Sequence, residues 1–350
     1  MAFNDELLAW YSQNARDLPW RKTKDPYKIW LSEVILQQTR VEQGTPYYHR
    51  FTTEFPTLKK LSEATEEHVL LLWQGLGYYS RGRNLLAAAK QMMERHKNFP
   101  KSYNDIRSLK GIGDYTAAAI SSFAFNEPHA VVDGNVYRFY SRLFGISTPI
   151  DSTAGKKEFK ILADSLLDQQ NPGMFNQAVM EMGALICKPK PVCNECPFAL
   201  QCVARKENAV NSYPVKSKTT KVRERYFYYL LFNTDDALYI KKREGKDIWQ
   251  GLYEFPLIET EKSIQPAKLY QIPEWQSMVA ESDFKVSYLS KPYIHKLSHQ
   301  VLHARFIHLE KTGQKKSKPG KEWKSVSVKT LRDYGMPQLI VKYLSDEEML

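Results

Sequence analysis

Leu109-Lys110-Gly111-Ile112-Gly113-Asp114-Tyr115 is the segment that decides the fold, because it places a glycine pair between two stretches of helical periodicity. Two glycines let the backbone turn tightly and approach another chain. The amides at the start of the next helix, which opens near Tyr115, could bind an anion such as a phosphate. A glycine pair that merely ends a helix is the commoner meaning of an isolated motif, so both interpretations stay open here.

Farther along the chain, the segment Val131-Val132-Asp133-Gly134-Asn135-Val136 places an acid where a short apolar run ends. An Asp before Gly usually caps a helix or forms a turn. A carboxylate at the end of a buried run is also a candidate catalytic group. Asp133 is therefore a candidate both for a helix cap or turn and for a catalytic carboxylate.

Outward from the glycine pair, apolar residues recur at helical spacing up to about residue 206, as in IWLSEVILQQTRVEQ and NLLAAAKQMMERH. Glycine and proline separate these stretches, which predicts an all-α domain over 1–206. A polar, basic stretch then predicts a linker at 207–224. Short β-type runs such as YFYYLLF and HARFIHL, an amphipathic stretch near 266–280 and a final helix from about 337 predict an α+β domain over 225–350.

The composition of the 350 residues fits two globular domains, with 43% hydrophobic residues and a formal net charge of +11. A basic excess attracts polyanions, so nucleic acid is the first partner to consider, although ordinary basic enzymes carry similar charge. No apolar run reaches the roughly 18 residues of a membrane span. The N-terminus lacks the basic head and apolar centre of a signal peptide. We therefore expect a cytoplasmic protein without a membrane partner.

The four cysteines form one local group, Cys187, Cys193, Cys196 and Cys202. Four cysteines in so long a chain cannot form a disulfide framework. Four thiolates in the loop 187–202 are typical of a metal centre. Their spacing alone leaves a structural zinc and an iron–sulfur cluster equally open.

Several motifs together resemble the helix-hairpin-helix DNA glycosylase superfamily: LKGIGDYTAAAI (109–120), VDGNVYR (132–138) and the four-cysteine loop. LPWRK (18–22), WLSEVILQQTRVE (30–42) and WQGLGYYSR (73–81), in this order, are similar to its adenine DNA glycosylase branch, the MutY type. The resemblance implies a six-helix-barrel module, a cluster-bearing helical domain and a C-terminal Nudix-like (MutT-like) domain. It also implies a [4Fe-4S] cluster on the four cysteines and a monomer that acts on double-stranded DNA with A opposite 8-oxoguanine or G, nucleoid-associated if the source is bacterial.

The resemblance also assigns catalytic roles that suit the chemistry of N-glycosidic hydrolysis. This reaction needs an acid on the base side and a carboxylate on the sugar side. Glu33 matches the acid that protonates adenine, and Asp133 matches the group that stabilises the sugar cation. On the apolar helix IWLSEVIL, burial would raise the pKa of Glu33. We expect Tyr115 and Asn135 to hydrogen-bond Asp133 and the sugar.

Other residues match binding positions of the family. Extrusion of the base from the duplex costs a few kcal/mol, which an inserted side chain can offset. The expected positions are Gln38 and Tyr78 for insertion, Trp20, Arg21, Leu36 and Met180 for the base pocket, Gly111 and Gly113 for the phosphate backbone, and Ser298 and His299 for 8-oxoguanine. A Trp or Leu at helical spacing is more often simple core.

The chain departs from its relatives at informative positions. The first cysteine interval holds five residues where the family usually has six, and Leu297 stands where an aromatic residue precedes Ser298. Tyr115 replaces the lysine that forms a Schiff base in proteins similar to endonuclease III, so we expect a monofunctional glycosylase. WQGLYEF resembles MutT-like proteins, but no glutamate-rich catalytic box follows it, which favours recognition over pyrophosphate hydrolysis.

Two alternatives to this function remain. The basic charge and the cysteine loop would also suit a non-catalytic DNA-binding protein that senses redox state. A pyrimidine-specific glycosylase with lyase activity is the other, and Tyr115 speaks against it because a phenol forms no imine. The histidines at 295, 299 and 303 resemble a zinc motif, but VLHARFIHL is predicted to be a strand.

Overall fold

The structure is a computed structural model that describes residues 3–217, 222–234, 236–280, 283–313 and 322–350. The chain divides into two compact units. The N-terminal unit combines Met1–Glu63 with Asn84–Thr219, and the C-terminal unit combines Ala64–Arg83 with Thr220–Leu350. Among the described residues, no helix combines the length and the apolarity that a membrane span requires.

The part of the chain up to residue 212 is helical, as its periodicity predicts. The helices are α1 (Phe3–Asn14), α2 (Pro26–Leu36), α3 (Val41–Glu54), α4 (Leu58–Ser62), α5 (Glu66–Leu72), α6 (Ser80–Arg95), α7 (Tyr103–Arg107), α8 (Asp114–Phe125), α9 (Gly134–Phe144), α10 (Thr153–Leu166), α11 (Pro172–Leu185) and α12 (Val203–Lys206), with short 3-10 turns at Pro19–Arg21, Cys193–Glu195 and Val210–Ser212.

Small polar side chains start several of these helices. Asp25 caps α2 through the amide of Tyr27, and Ser152 caps α10 through the amide of Gly155. Such caps satisfy amides that have no partner within the helix. The apolar faces that follow bury a cluster of rings, including Phe139, Phe159, Phe175 and Phe198. Burial of each such ring contributes about 1.5–3 kcal/mol, so this cluster holds α1, α9, α10 and α11 together.

The described part of the C-terminal unit contains the predicted strands and two that the sequence did not predict, β5 and β6. The strands are β1 (Arg223–Asn233), β2 (Ala237–Lys242), β3 (Tyr253–Glu254), β4 (Leu257–Thr260), β5 (Phe284–Leu289), β6 (Tyr293–Lys296), β7 (Gln300–Lys311) and β8 (Lys324–Ser327). In the described part, one sheet has the order β4-β1-β7-β5 with β6 also paired to β7, and a second has the order β3-β2-β8. β1 and β7 pair in parallel from Arg223 opposite Gln300 to Asn233 opposite Glu310.

The remaining elements of this unit are helical. Residues 266–280 form α13 (Pro266–Leu269), α14 (Pro273–Trp275) and a π-helical turn (Gln276–Ala280), and a 3-10 turn at Val328–Asp333 precedes α15 (Gln338–Asp346). The predicted combination of an all-α module and an α+β domain is therefore confirmed.

The grouping of residues departs from the predicted bounds of 1–206, 207–224 and 225–350 at two places. Ala64–Arg83, which the bounds include in the helical domain, groups with the C-terminal unit. Within the predicted linker, Ser217 bonds to Asp151 and the carbonyl of Val215 accepts the amide of Ile150, so its first half packs on the N-terminal unit. Positions 218–221 of the linker lie outside the described residues.

Candidate active site

Glu33 lies on α2, whose apolar sequence buries most of the helix. Its side chain is 8% exposed, and its Oε2 accepts a hydrogen bond of 2.8 Å from the hydroxyl of Tyr115. Burial raises the pKa of Glu33 to about 7, against the opposing effects of the Tyr115 hydrogen bond and the charge of Arg21; the charge of Asp133 adds to the increase. A carboxyl with this pKa can carry a proton at neutral pH.

Asp133 is the N-cap of α9, and its carboxylate receives several hydrogen bonds. Oδ1 accepts from the amides of Asn135 at 2.9 Å and Val136 at 2.8 Å, and Oδ2 accepts from the Asn135 side chain at 2.8 Å. Burial raises the pKa of Asp133, and these donors oppose the increase. Donors to a carboxylate favour its charged form. Of the two acids, Asp133 is therefore the better placed to be an anion.

The prediction that Tyr115 hydrogen-bonds Asp133 is wrong. Tyr115 is the second residue of α8, whose N-cap is Gly113. From there the phenol donates to Glu33, and its hydroxyl lies 3.9 Å from the sulfur of Met180. The predicted bond from Asn135 to Asp133 is present, because the two residues share the first turn of α9.

These acids face one cavity of about 300 Å³, the lower end of the roughly 300–1,000 Å³ that small-ligand pockets span. The lining contains nine of the predicted residues: Trp20, Arg21, Glu33, Leu36, Gln38, Tyr115, Asp133, Asn135 and Met180. Gln38 has a positive φ of 54°, which is uncommon for a residue other than glycine. It is also exposed, as an inserting side chain requires.

The lining also contains residues that the sequence analysis did not single out, among them Arg16, Gln177 and Glu181. Glu181 lies on α11 and is 1% exposed. Its Oε1 accepts from Arg16 Nε and Arg21 Nη1, both at 2.9 Å, and its Oε2 accepts from Arg16 Nη2 at 2.8 Å and Arg21 Nη2 at 2.7 Å. Burial alone would raise the pKa of Glu181, but the hydrogen bonds and charge of the two arginines lower it to about 2. Glu181 is therefore a permanent anion between two cations.

The glycine pair forms the predicted turn. Gly111 has a φ of +76°, and a Cβ at this position would lie 2.6 Å from the Cβ of Asn84. Glycine is therefore required there both for conformation and for space. Gly113 has open space around its Cα and precedes the amides that begin α8. This arrangement can bind a phosphate, as the anion-binding interpretation requires.

The four cysteines line a common apolar depression with Phe198. Arg142 on α9 donates to the sulfur of Cys187 at 3.6 Å and to the carbonyl of Lys188 at 2.8 Å. Arg138, one turn earlier, donates to the carbonyl of Cys187 at 2.7 Å and to Oδ1 of Asn135 at 2.8 Å. Among the described residues, no three His, Cys, Asp or Glu side chains converge as ligands of a single ion.

In the C-terminal unit, Tyr78, Ser298 and His299 line a second cavity together with Trp249 and His295. The hydroxyls of Tyr78 and Ser298 are hydrogen-bonded. Tyr78 is 45% exposed and, like Gln38, has a positive φ, here 48°. The expectation that VLHARFIHL is a strand is confirmed, since it belongs to β7.

Comparison with known proteins identifies both units. Residues 31–163 match the HhH-GPD superfamily of base excision DNA repair proteins, and residues 227–346 match the NUDIX domain. A thermostable thymine-DNA glycosylase superposes with a TM-score of 0.55 at 27% identity, over 59% of this chain and 95% of its own. A trapped endonuclease III–DNA intermediate shares the fold, with a TM-score of 0.52 at 19% identity over 59% of this chain and 94% of its own. Fold and site thus define a helix-hairpin-helix DNA N-glycosylase of base excision repair.

The adenine DNA glycosylase of Buchnera aphidicola subsp. Schizaphis graminum (strain Sg) is 34% identical over 350 residues, which cover 98% of this chain and 97% of that protein. The chain belongs to the adenine DNA glycosylase family. The Homo sapiens member is 43% identical over 215 residues, 58% of this chain and 39% of the human protein. The predicted family and class of enzyme are confirmed.

Proposed function

We propose that this DNA glycosylase hydrolyses the N-glycosidic bond of adenine opposite 8-oxoguanine or G, without cleaving the strand. The observation that carries the proposal is the pair of buried acids on one cavity: Glu33 with a pKa of about 7, and Asp133 with three hydrogen-bond donors. Two acids whose environments suit one to hold a proton and the other to lose it fit the two tasks of this hydrolysis.

In the proposed reaction, Glu33 gives its proton to a ring nitrogen of adenine, and the bond between C1′ and the base breaks with its electron pair going to the base. Asp133 stabilises the positive charge that develops on the sugar. Water then adds its hydroxyl to C1′, and its second proton goes to a carboxylate. Transfer of a proton by a positioned acid contributes about 10²–10⁴-fold to a rate.

Tyr115 supports the absence of strand cleavage. A β-lyase reaction requires an amine that forms an imine with C1′, and the side chain at position 115 is a phenol. Burial and the neighbouring Glu33 and Asp133 raise its pKa well above the ordinary value, so the phenol stays neutral and donates its proton to Glu33.

We assign the loop 187–202 to a [4Fe-4S] cluster held by Cys187, Cys193, Cys196 and Cys202. When bound, such a cluster would cross-link the loop between the end of α11 and the start of α12. The four cysteines line one depression, and four thiolates are the donor set that such a cluster requires. Arg142 would offset part of the negative charge of the thiolates.

The cavity around Tyr78, Ser298 and His299 is assigned to recognition of 8-oxoguanine. Its hydroxyl and imidazole groups supply the donors and acceptors that base recognition needs.

We propose the limits 1–206, 207–224 and 225–350 as a functional division of the chain. We also propose that the protein acts on DNA as a monomer in the cytoplasm, at the nucleoid if the source is bacterial.

The test measures free adenine and strand breaks separately. Duplexes with A opposite 8-oxoguanine, A opposite G and A opposite T are incubated with the wild type, Glu33→Gln and Asp133→Asn. The expected result is adenine release from the first two duplexes by the wild type alone, without a borohydride-trapped complex. No adenine release by the wild type would refute the proposal and favour a DNA-binding sensor, and a trapped complex would refute monofunctional chemistry.

A further inference from the structure

The proposed reaction uses Glu33 and Asp133 but not Glu181, although Glu181 lines the same cavity. A carboxylate that is 1% exposed and receives four hydrogen bonds from two guanidinium groups is a built feature of the pocket. The backbone amide of Arg16 adds a fifth bond at 2.9 Å. Burial of a charge is costly unless it is paired and hydrogen-bonded, and this network meets both conditions.

Arg21 connects this network to the proposed acid. Its guanidinium donates to both carboxylate oxygens of Glu181, and its Nη1 also donates to the carbonyl of Arg16 at 3.1 Å. The groups that act on Glu33 are Tyr115 from α8, Asp133 at the start of α9 and Arg21 from the 3-10 turn, and Arg21 is the cation among them. Arg21 is therefore a cation that acts on two carboxyls of one cavity, Glu33 and Glu181.

An ion pair between Arg21 and Glu33 would be harmful to the proposed chemistry. An arginine next to a carboxyl lowers its pKa by about 1–3 units, and Glu33 would then lose its proton at neutral pH. Bidentate binding to a carboxylate is the geometry that a guanidinium prefers, and Glu181 already provides it. The side chain of Arg21 is therefore held in a fixed position.

We propose that Glu181 is a positioning residue that holds the guanidinium of Arg21 and so prevents it from forming an ion pair with Glu33. This inference rests on the role of Glu33 as the acid proposed above. Arg16 completes the arrangement, because its guanidinium occupies the remaining lone pairs of Glu181 and stabilises it as an anion.

The experiment is the pH profile of single-turnover adenine release from a duplex with A opposite 8-oxoguanine. The variants are Glu181→Gln, Arg21→Met and the double variant, with Glu158→Gln on the exposed face of α10 as the matched control. In Glu181→Gln the basic limb is expected at least one unit lower, so the rate at pH 7 falls at least about fivefold when the pKa falls from 7 to 6. The double variant should return the limb at least to its wild-type pH, whatever its maximal rate, because it also removes the Arg21 charge that lowers the pKa of Glu33 in the wild type.

The proposed role of Glu181 would be overturned if the basic limb of Glu181→Gln lay at its wild-type pH. It would also be overturned if the basic limb of the double variant stayed at the lower pH of Glu181→Gln. Glu33→Gln is measured in parallel. Full activity in that variant would refute the role of Glu33 as the acid, and this failure differs from a failure of the role of Glu181. Should Glu181→Gln not fold, Glu181→Asp carries the test. It keeps the charge but shortens the reach toward Arg21, and a wild-type limb in this variant refutes the proposal.

Discussion

Removal of the buried acid on α2 should change the pH dependence of stability as well as activity. An ordinary Glu has a pKa of 4.5, and burial raises that of Glu33 to about 7 in the folded protein. The folded state therefore binds the proton more tightly than the unfolded state, and stability is lost as pH rises from about 4.5 through 7. A shift of roughly 2.5 units corresponds to about 3 kcal/mol, of which about 2 kcal/mol falls between pH 5.5 and 8.5.

The variant Glu33→Gln keeps the shape of the side chain and has no charge to bury. Relative to the wild type, it should gain about 2 kcal/mol between pH 5.5 and 8.5, which is about 4–8 °C in the midpoint of thermal unfolding for a unit of this size. Calorimetry of the full chain measures this difference. Phe159→Ala marks the transition that belongs to the N-terminal unit, since Phe159 is fully buried there.

The control is Glu158→Gln, whose wild-type side chain is exposed on α10. Its midpoint should follow that of the wild type at every pH. If the unfolding midpoint of Glu33→Gln also followed that of the wild type between pH 5.5 and 8.5, the carboxyl of Glu33 would be solvated in the folded protein. The reasoning that gives it a proton at neutral pH would then be refuted.

Three further outcomes are expected. Tyr115→Phe removes the 2.8 Å hydrogen bond that lowers the pKa of Glu33, so the basic limb of adenine release should move about one unit higher; Tyr137→Phe, which alters a ring packed on Phe159, should leave the limb in place. Asp133→Asn should slow single-turnover release by at least about 100-fold while the affinity for a duplex changes by less than about twofold, and an equal loss in both would indicate a folding defect. Ser298→Ala should lower the preference for 8-oxoguanine over G in competition assays, and an unchanged preference would contradict the assigned cavity.

The fold class followed from the sequence because its signals are local. Helical periodicity, glycine and proline boundaries and alternating β-type runs predicted the all-α module and the α+β domain. The parallel pairing of β1 with β7 had no such signal, because β2 to β6 separate the two strands in the sequence. The grouping of Ala64–Arg83 with that unit was unpredictable for the same reason.

The site residues that belong to sequence motifs could be predicted, but the contacts that depend on the packing of one helix against another could not. Glu33, Asp133, Trp20 and Arg21 were predicted from their motifs, and all four line the cavity. The partner of Tyr115 was predicted wrongly, since the sequence does not show that the start of α8 faces α2. Glu181 was missed because a Glu on a helix is usually solvated, and only the packing of α11 brings it to Arg16 and Arg21.

The membership of Ala64–Arg83 in the C-terminal unit matters for how base recognition can be dissected. Glu67 pairs with Lys242 at 2.5 Å, Arg83 donates to the carbonyl of Gln250, and Gln74 accepts the amide of Met336 at 2.8 Å. Truncation after residue 206 keeps the segment around Tyr78 but removes all three partners, so its defects would combine loss of the proposed recognition of the opposite base with a loosened internal segment. A single substitution at His299 keeps that segment anchored and separates the two effects, whereas one at Ser298 also removes the hydrogen bond to Tyr78.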